Sequence, residues 1–263
     1  MRKNLRFVWL LIKCKFTRMM MYRADFFHAF VNDGILFAVQ LLAFSAIYSQ
    51  VDSIGDWSYG QMIIFVGTFS AVNALNMLIY FFGIVDIPGK IKRGDLDLYL
   101  TKPVSPLLRL TFESVNVGSL PLVAMSALIV RYGASAANVD VSLPLGLGYA
   151  ALVLLMTLLW YDMEIILRSI PFLVITANGI MRVEGEIIGL NFKVPGALYK
   201  GFFKILFYFL LPYGIMATIP TQFLTRSVSP AGIAAAVLTV AAFTAFALWF
   251  WKFGLRHYKS ASS

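Results

Sequence analysis

Six apolar blocks, each long enough or nearly long enough to cross a bilayer, are separated along this chain by short polar connectors. The blocks predict membrane helices at about 26–48, 60–86, 112–131, 144–168, 202–223 and 231–252. Between the fourth and fifth, residues 169–201 break the pattern. Pro171 stops or kinks a helix, the apolar run 172–175 is short, and Asn178, Arg182, Glu184, Gly185, Glu186 and Gly189 argue for an interfacial or cytoplasmic segment. Upstream, residues 4–22 alternate cations (Arg6, Lys13, Lys15, Arg18) with Trp9, Leu10, Ile12 and Phe16. This is the pattern of a helix lying in the headgroup region, though a frayed basic tail gives the same composition.

Charge then orients the blocks. With the N-terminus in the cytoplasm, 20 of the 22 Lys and Arg fall on the cytoplasmic side: seven in 1–23, five in 87–111, five in 168–204 and three in 252–263. Arg131 and Arg226 are the two outside. The +9 net charge therefore reports topology, and a 60% apolar chain has no basic soluble face for nucleic acid. The expected fold is an all-α polytopic bundle of six transmembrane helices with both termini cytoplasmic and an N-terminal interfacial helix. It forms one transmembrane domain over 1–263: the interfacial helix at 1–25, spans 1–3 in 26–131 with a cytoplasmic loop at 87–109, and spans 4–6 in 144–252. Cations interrupt any signal-peptide core in residues 1–25. Trp57 with Tyr59, Trp160 with Tyr161, and Trp249 with Trp251 mark expected membrane boundaries. Small residues at 232/236 and 241/245 in the sixth block suit close helix packing, or are simple apolar filler.

The chemistry-bearing residues are few. One Cys (Cys14) and two His (His28, His257) predict no metal site and no disulfide within the chain. The chain has no Gly-rich Lys-Ser/Thr phosphate loop and no Gly-x-Ser-x-Gly segment, so no catalytic residues are assigned. Polar residues inside the spans carry more weight, because an ionised group at the bilayer centre costs about 2.5–3.5 kcal/mol. Asp33 lies about seven residues into the first span, and Asn73 and Asn76 lie in the middle of the second. They fit a translocation path or inter-subunit contact, and equally a helix–helix hydrogen bond. Glu113, Asp162 and Glu164 fall near inner span ends, close to water.

The most distinctive segment is the loop at 87–109. Gly94 permits a left-handed residue, Asp95 fits the cap of a following helical turn, and Pro103 and Pro106 end the segment. Leu96, Leu98 and Leu100 keep it apolar between charges such as Lys92 and Asp97. Such a loop suits docking to another protein, or a connector resting on headgroups.

Ile91, Gly94, Leu96, Asp97, Leu100 and Pro103 resemble the Ile-x-x-Gly-x-Leu-Asp-x-x-Leu-x-x-Pro segment of bacterial ABC-transporter permeases of the six-span exporter type (type V). Arg23–Phe26, the Pro195…Tyr199…Pro212…Pro220 spacing and the ending Trp251–Tyr258 are similar as well. The resemblance implies a permease subunit in a bacterial inner membrane, acting as an exporter in the family sense of outward transport. It implies a second permease, identical or paralogous, two copies of an ABC ATPase subunit, and contact with membrane lipid. ATP and Mg2+ would be held by the ATPase and none by this chain. Lys92, Gly94, Asp95, Leu96, Asp97 and Pro103 would form the ATPase-coupling loop. The alternatives are a proton-coupled secondary carrier using Asp33 and a membrane-embedded lipid enzyme.

Overall fold

The computed structural model describes residues 9–13, 23–174 and 178–258. Helix α1 covers residues 9–13, where Trp9 and Leu10 are exposed; the rest of the expected interfacial helix lies outside the described residues. The long helices are α2 (Arg23–Tyr48), α3 (Tyr59–Ile79), α8 (Leu120–Ala136), α9 (Leu143–Ser169) and α13 (Pro230–His257). Shorter helices lie between them: α4 (Phe81–Ile84), α5 (Ile87–Arg93), α6 (Asp97–Leu100), α7 (Pro106–Phe112), α10 (Asn178–Lys193), α11 (Gly201–Ile205) and α12 (Ile215–Leu224). Among the described residues there is no strand beyond a single bridge between Ile54 and Trp57, so the chain is an all-α helix bundle.

Local chemistry sets the helix ends. Ser58 accepts from the Gln61 backbone N–H while Gln61 Oε1 accepts from the Ser58 N–H at 2.9 Å, a capping box that starts α3. Prolines in the first turn open α7, α8, α9 and α13, where a missing N–H has no cost. Within the spans, Thr68, Ser70, Thr157 and Ser169 donate to the carbonyl one turn back, so apolar surroundings leave none of these hydroxyls unsatisfied.

Among the described residues, four segments are long and apolar enough to cross a membrane: Tyr59–Ile79, Val117–Ala136, Leu143–Phe172 and Pro230–His257. The bent pair Gly201–Leu210 and Pro212–Leu224 makes a fifth if taken as one span. The first expected span coincides with α2, which contains the shorter apolar stretch Phe37–Tyr48. Helices α3 and α8 pack closest. A Cβ on Gly133 would lie 2.7 Å from the Ile64 backbone nitrogen, and one on Gly60 2.4 Å from that of Ala137. The close small-residue packing expected of α13 is therefore met by α3 and α8, while Ala241 and Ala245 of α13 are exposed.

Three expectations are corrected. The third span starts at Val117 rather than 112, because the chain turns after Glu113 and the Asn116 N–H donates to the Leu78 carbonyl at 2.9 Å. The segment 169–201 packs along the bundle, with its charged residues Arg182, Glu186 and Lys193 exposed. Glu184 of α10 pairs with Arg168, Phe192 packs edge-on to Phe69 (4.8 Å) and against Phe37 (5.8 Å), and Leu198, beyond the end of the helix, abuts Gly55. Finally, the fifth block is no straight rod: Gly201–Leu210 and Pro212–Leu224 meet at 87°. Leu211 donates to the Leu206 carbonyl in a π-helical turn, and Pro212 has no N–H with which to continue the helix.

Candidate functional site

The segment expected to be a loop is a folded helical hairpin. Helix α5 ends at Gly94, whose φ of 76° is the left-handed conformation a glycine accepts without strain. Leu96 and Ile87 are completely buried, with Leu110 of α7, Ile165 of α9, Trp251 of α13 and Phe172 in one apolar cluster. Glu113 fastens the hairpin's base. Both its oxygens accept from the Tyr99 hydroxyl (2.8 and 2.9 Å), and Lys90 lies 3.5 Å away. The Arg109 guanidinium stacks over the Tyr99 ring, 4.4 Å from its centroid. Burial and the Glu113 carboxylate push the Tyr99 phenol well above its ordinary value, so it remains a donor. On the rim, Asp86 pairs with Lys90 and Arg93, both at 3.1 Å. Burial raises the Asp86 carboxyl, but these two cations prevail and hold it below the ordinary range.

What this packing leaves outside is specific. Leu98 and Leu100 are exposed, as are Lys92, Arg93, Thr101, Lys102 and Pro103. The hairpin, whose core packs on α9 and α13, thus exposes two leucines and the cations Lys92, Arg93 and Lys102. A family model for ABC-2 family transporter proteins matches residues 35–262.

The chain belongs to the ABC-2 transporter family. No curated protein and no solved structure matches it. In this ABC-2 permease the six residues expected to couple to an ATPase divide into two groups. Lys92 and Pro103 are on the exposed surface. Leu96 is core, Gly94 shapes the turn, and Asp95 pairs with Arg93 at 2.7 Å instead of capping α6. Asp97 opens α6 beside Tyr258, whose phenol is raised by burial and then by that carboxylate.

Of the polar residues expected along a path, Asn73 and Asn76 stand on α3. Asn76 is buried, its Oδ1 without a partner among the described residues, and half-buried Asn73 reaches Met77 Sδ at 3.8 Å. The side chain of Asp33 lies outside the described residues, although its backbone is within α2. Asp162 and Glu164, expected near water, are instead buried. The Thr244 hydroxyl donates to Asp162 at 2.5 Å, joining α9 to α13. Glu164 lies in a four-residue cluster that sequence reasoning missed. Arg168 pairs with Glu164 (2.9 Å) and with Glu184 of α10 (2.7 Å), and the Tyr213 hydroxyl donates to Glu184 at 2.9 Å. The i,i+4 spacing of Glu164 and Arg168 was its one sequence signal. Trp160, expected at a boundary, packs inside on Phe69 and Tyr213. Trp57 and Trp251 are likewise buried, and Trp249 alone of these is exposed. Among the described residues no group of His, Cys, Asp and Glu is arranged to hold a metal ion.

Proposed function

We propose that this chain is the membrane subunit of an ABC exporter and that the hairpin α5–α6 is where its ATPase docks. The supporting observation is that Leu98 and Leu100 are exposed together with Lys92, Arg93 and Lys102, on an element rooted in two spans. Two ATPase subunits, holding ATP and Mg2+, would press on two such hairpins, one from this chain and one from an identical or paralogous second permease. Closure of the ATPase pair stabilises one of two bundle conformations, and the buried Leu96, Tyr99 and Glu113 carry that bias to α9 and α13. The setting is the bacterial inner membrane, with the hairpin and both termini inside.

The path in this reading runs along α10. Its buried side carries Glu184 and Asn191, while Arg182, Glu186 and Lys193 are exposed on the opposite face, and Gly185 and Gly189 have no neighbour within 4 Å. At the level of Phe69, where Phe192 packs, each charge turned to lipid would cost about 2.5–3.5 kcal/mol. A water-filled path or the partner permease avoids that cost, so this face replaces Asn73 and Asn76 as the lining. The segment 201–224 then dips into the bundle and returns to the outer side, which keeps the C-terminus inside.

Affinity purification of the tagged chain from its native membrane, with mass spectrometry of what accompanies it, tests the reading. A stoichiometric ATPase is expected. A partnerless chain whose transport collapses with the proton gradient while ATP remains would establish the secondary carrier instead.

A further inference from the structure

A second feature lies away from the hairpin. Helices α3, α8 and α9 enclose a cleft of about 640 Å³, a volume typical of small-molecule sites. Leu75, Val123 and Leu154 close its deep end, and Arg131, Ser135 and Asp140 stand at its mouth. From Val123 to Ser135 is twelve residues of helix α8, a rise of about 18 Å. The hydrocarbon of one leaflet is roughly 15 Å thick, so the cleft is one leaflet deep. Along that depth its lining is mostly apolar, with the Ser126 hydroxyl bonded to the Val123 carbonyl, and it is charged only where the outer headgroups would be. Arg131 is one of the two cations that the charge distribution leaves outside. Among the described residues neither Arg131 nor Asp140 makes an ion pair, and both are exposed.

We infer that this cleft seats one outer-leaflet phospholipid with a zwitterionic headgroup. An acyl chain fills the cleft, Arg131 binds the phosphate and Asp140 faces the amine. One cation and one anion at a single mouth complement a phosphate and an ammonium group and favour them over an anionic headgroup. The inference is independent of the transport reading, because it needs only the orientation of the bundle.

The test is native mass spectrometry of the purified chain released from nanodiscs of phosphatidylethanolamine or of phosphatidylglycerol. The chain is expected to retain one phosphatidylethanolamine per protomer and to release phosphatidylglycerol. Arg131→Gln and Asp140→Asn, both at exposed positions, should each weaken retention about tenfold, the worth of one charge-assisted contact. Ala127→Trp, an exposed wall position, should fill the cleft and abolish retention. Equal retention by Ala127→Trp would overturn the seat, and equal retention of phosphatidylglycerol would overturn the headgroup assignment. Disulfide formation between two copies of a Cys14→Ser, Ala127→Cys chain would show that a second copy covers this face, and would also overturn the proposal.

Discussion

Glu113 and Arg168 show how single charged residues hold this bundle together. Glu113 ties three helices through Tyr99, Lys90 and Arg109, and Tyr99→Phe removes the two donated contacts while keeping the ring under Arg109. The expected loss is about 1–3 kcal/mol, read as a lower Tm of the purified chain. Arg168 is the one cation facing both Glu164 and Glu184, and Arg168→Met would leave two buried carboxylates without it. The cost should be about 3–5 kcal/mol, and Glu184→Gln in the same chain should restore part of it. An Arg168→Met chain as stable as the parent would show that the cluster does not hold α10 in place. Asp86 predicts a pH response. Its carboxyl lies below the ordinary 3.8 when folded, so its ion pairs support the hairpin above about pH 4. That support fades only as pH falls through the depressed value. Hairpin stability should therefore be flat from about pH 6 to 8 and drop in acid, measurable as the pH dependence of its amide exchange.

At the scale of elements, hydropathy made the long apolar helices legible because a membrane span needs only length and apolarity. Helix α9 matches expectation within one residue at each end, and α3 and α13 start within one residue of it, but α3 stops at Ile79 rather than 86 and α13 runs on to His257. The hairpin was legible in position and in its Gly94 turn, but not in its folded interior. Leu96, Leu98 and Leu100 look alike in sequence, and only packing against Trp251 and Ile165 separates the buried one from the exposed pair. Helix α10 was misread because Glu184 and Asn191 are polar, and polarity alone does not distinguish water from a buried partner. Its pairing with Arg168 is sixteen residues distant and its contact with Tyr213 twenty-nine. The bend at Pro212 was half visible, since proline marks a break but not its 87° angle. For the exposed face of α10, Arg182→Glu and Glu186→Lys should leave Tm nearly unchanged. They should shift which amphipathic compounds stimulate ATP hydrolysis in proteoliposomes. An unaltered stimulation profile would remove this face from the path.

For the whole molecule, the two ends of the bundle carry different tasks. At one end the hairpin is rooted in α9 and α13 through Trp251, Ile165 and Phe172. Toward the other, α10, the bend at Pro212 and α12 meet α3, where Gln61 and Thr68 lie within 3.5 Å of Thr225 and Thr221. Between them, Arg168 and Glu184 join α9 to α10, so displacement of the hairpin reaches the proposed path through paired charges. The most direct test of this account is the affinity of the co-expressed ATPase for the detergent-solubilised chain, compared with Leu98→Glu/Leu100→Glu. Both substitutions fall on exposed positions, so the variant should elute and melt like the parent, and it should bind the ATPase at least about tenfold more weakly. Unchanged affinity in a folded variant would contradict the account, because it would place the ATPase elsewhere on the molecule.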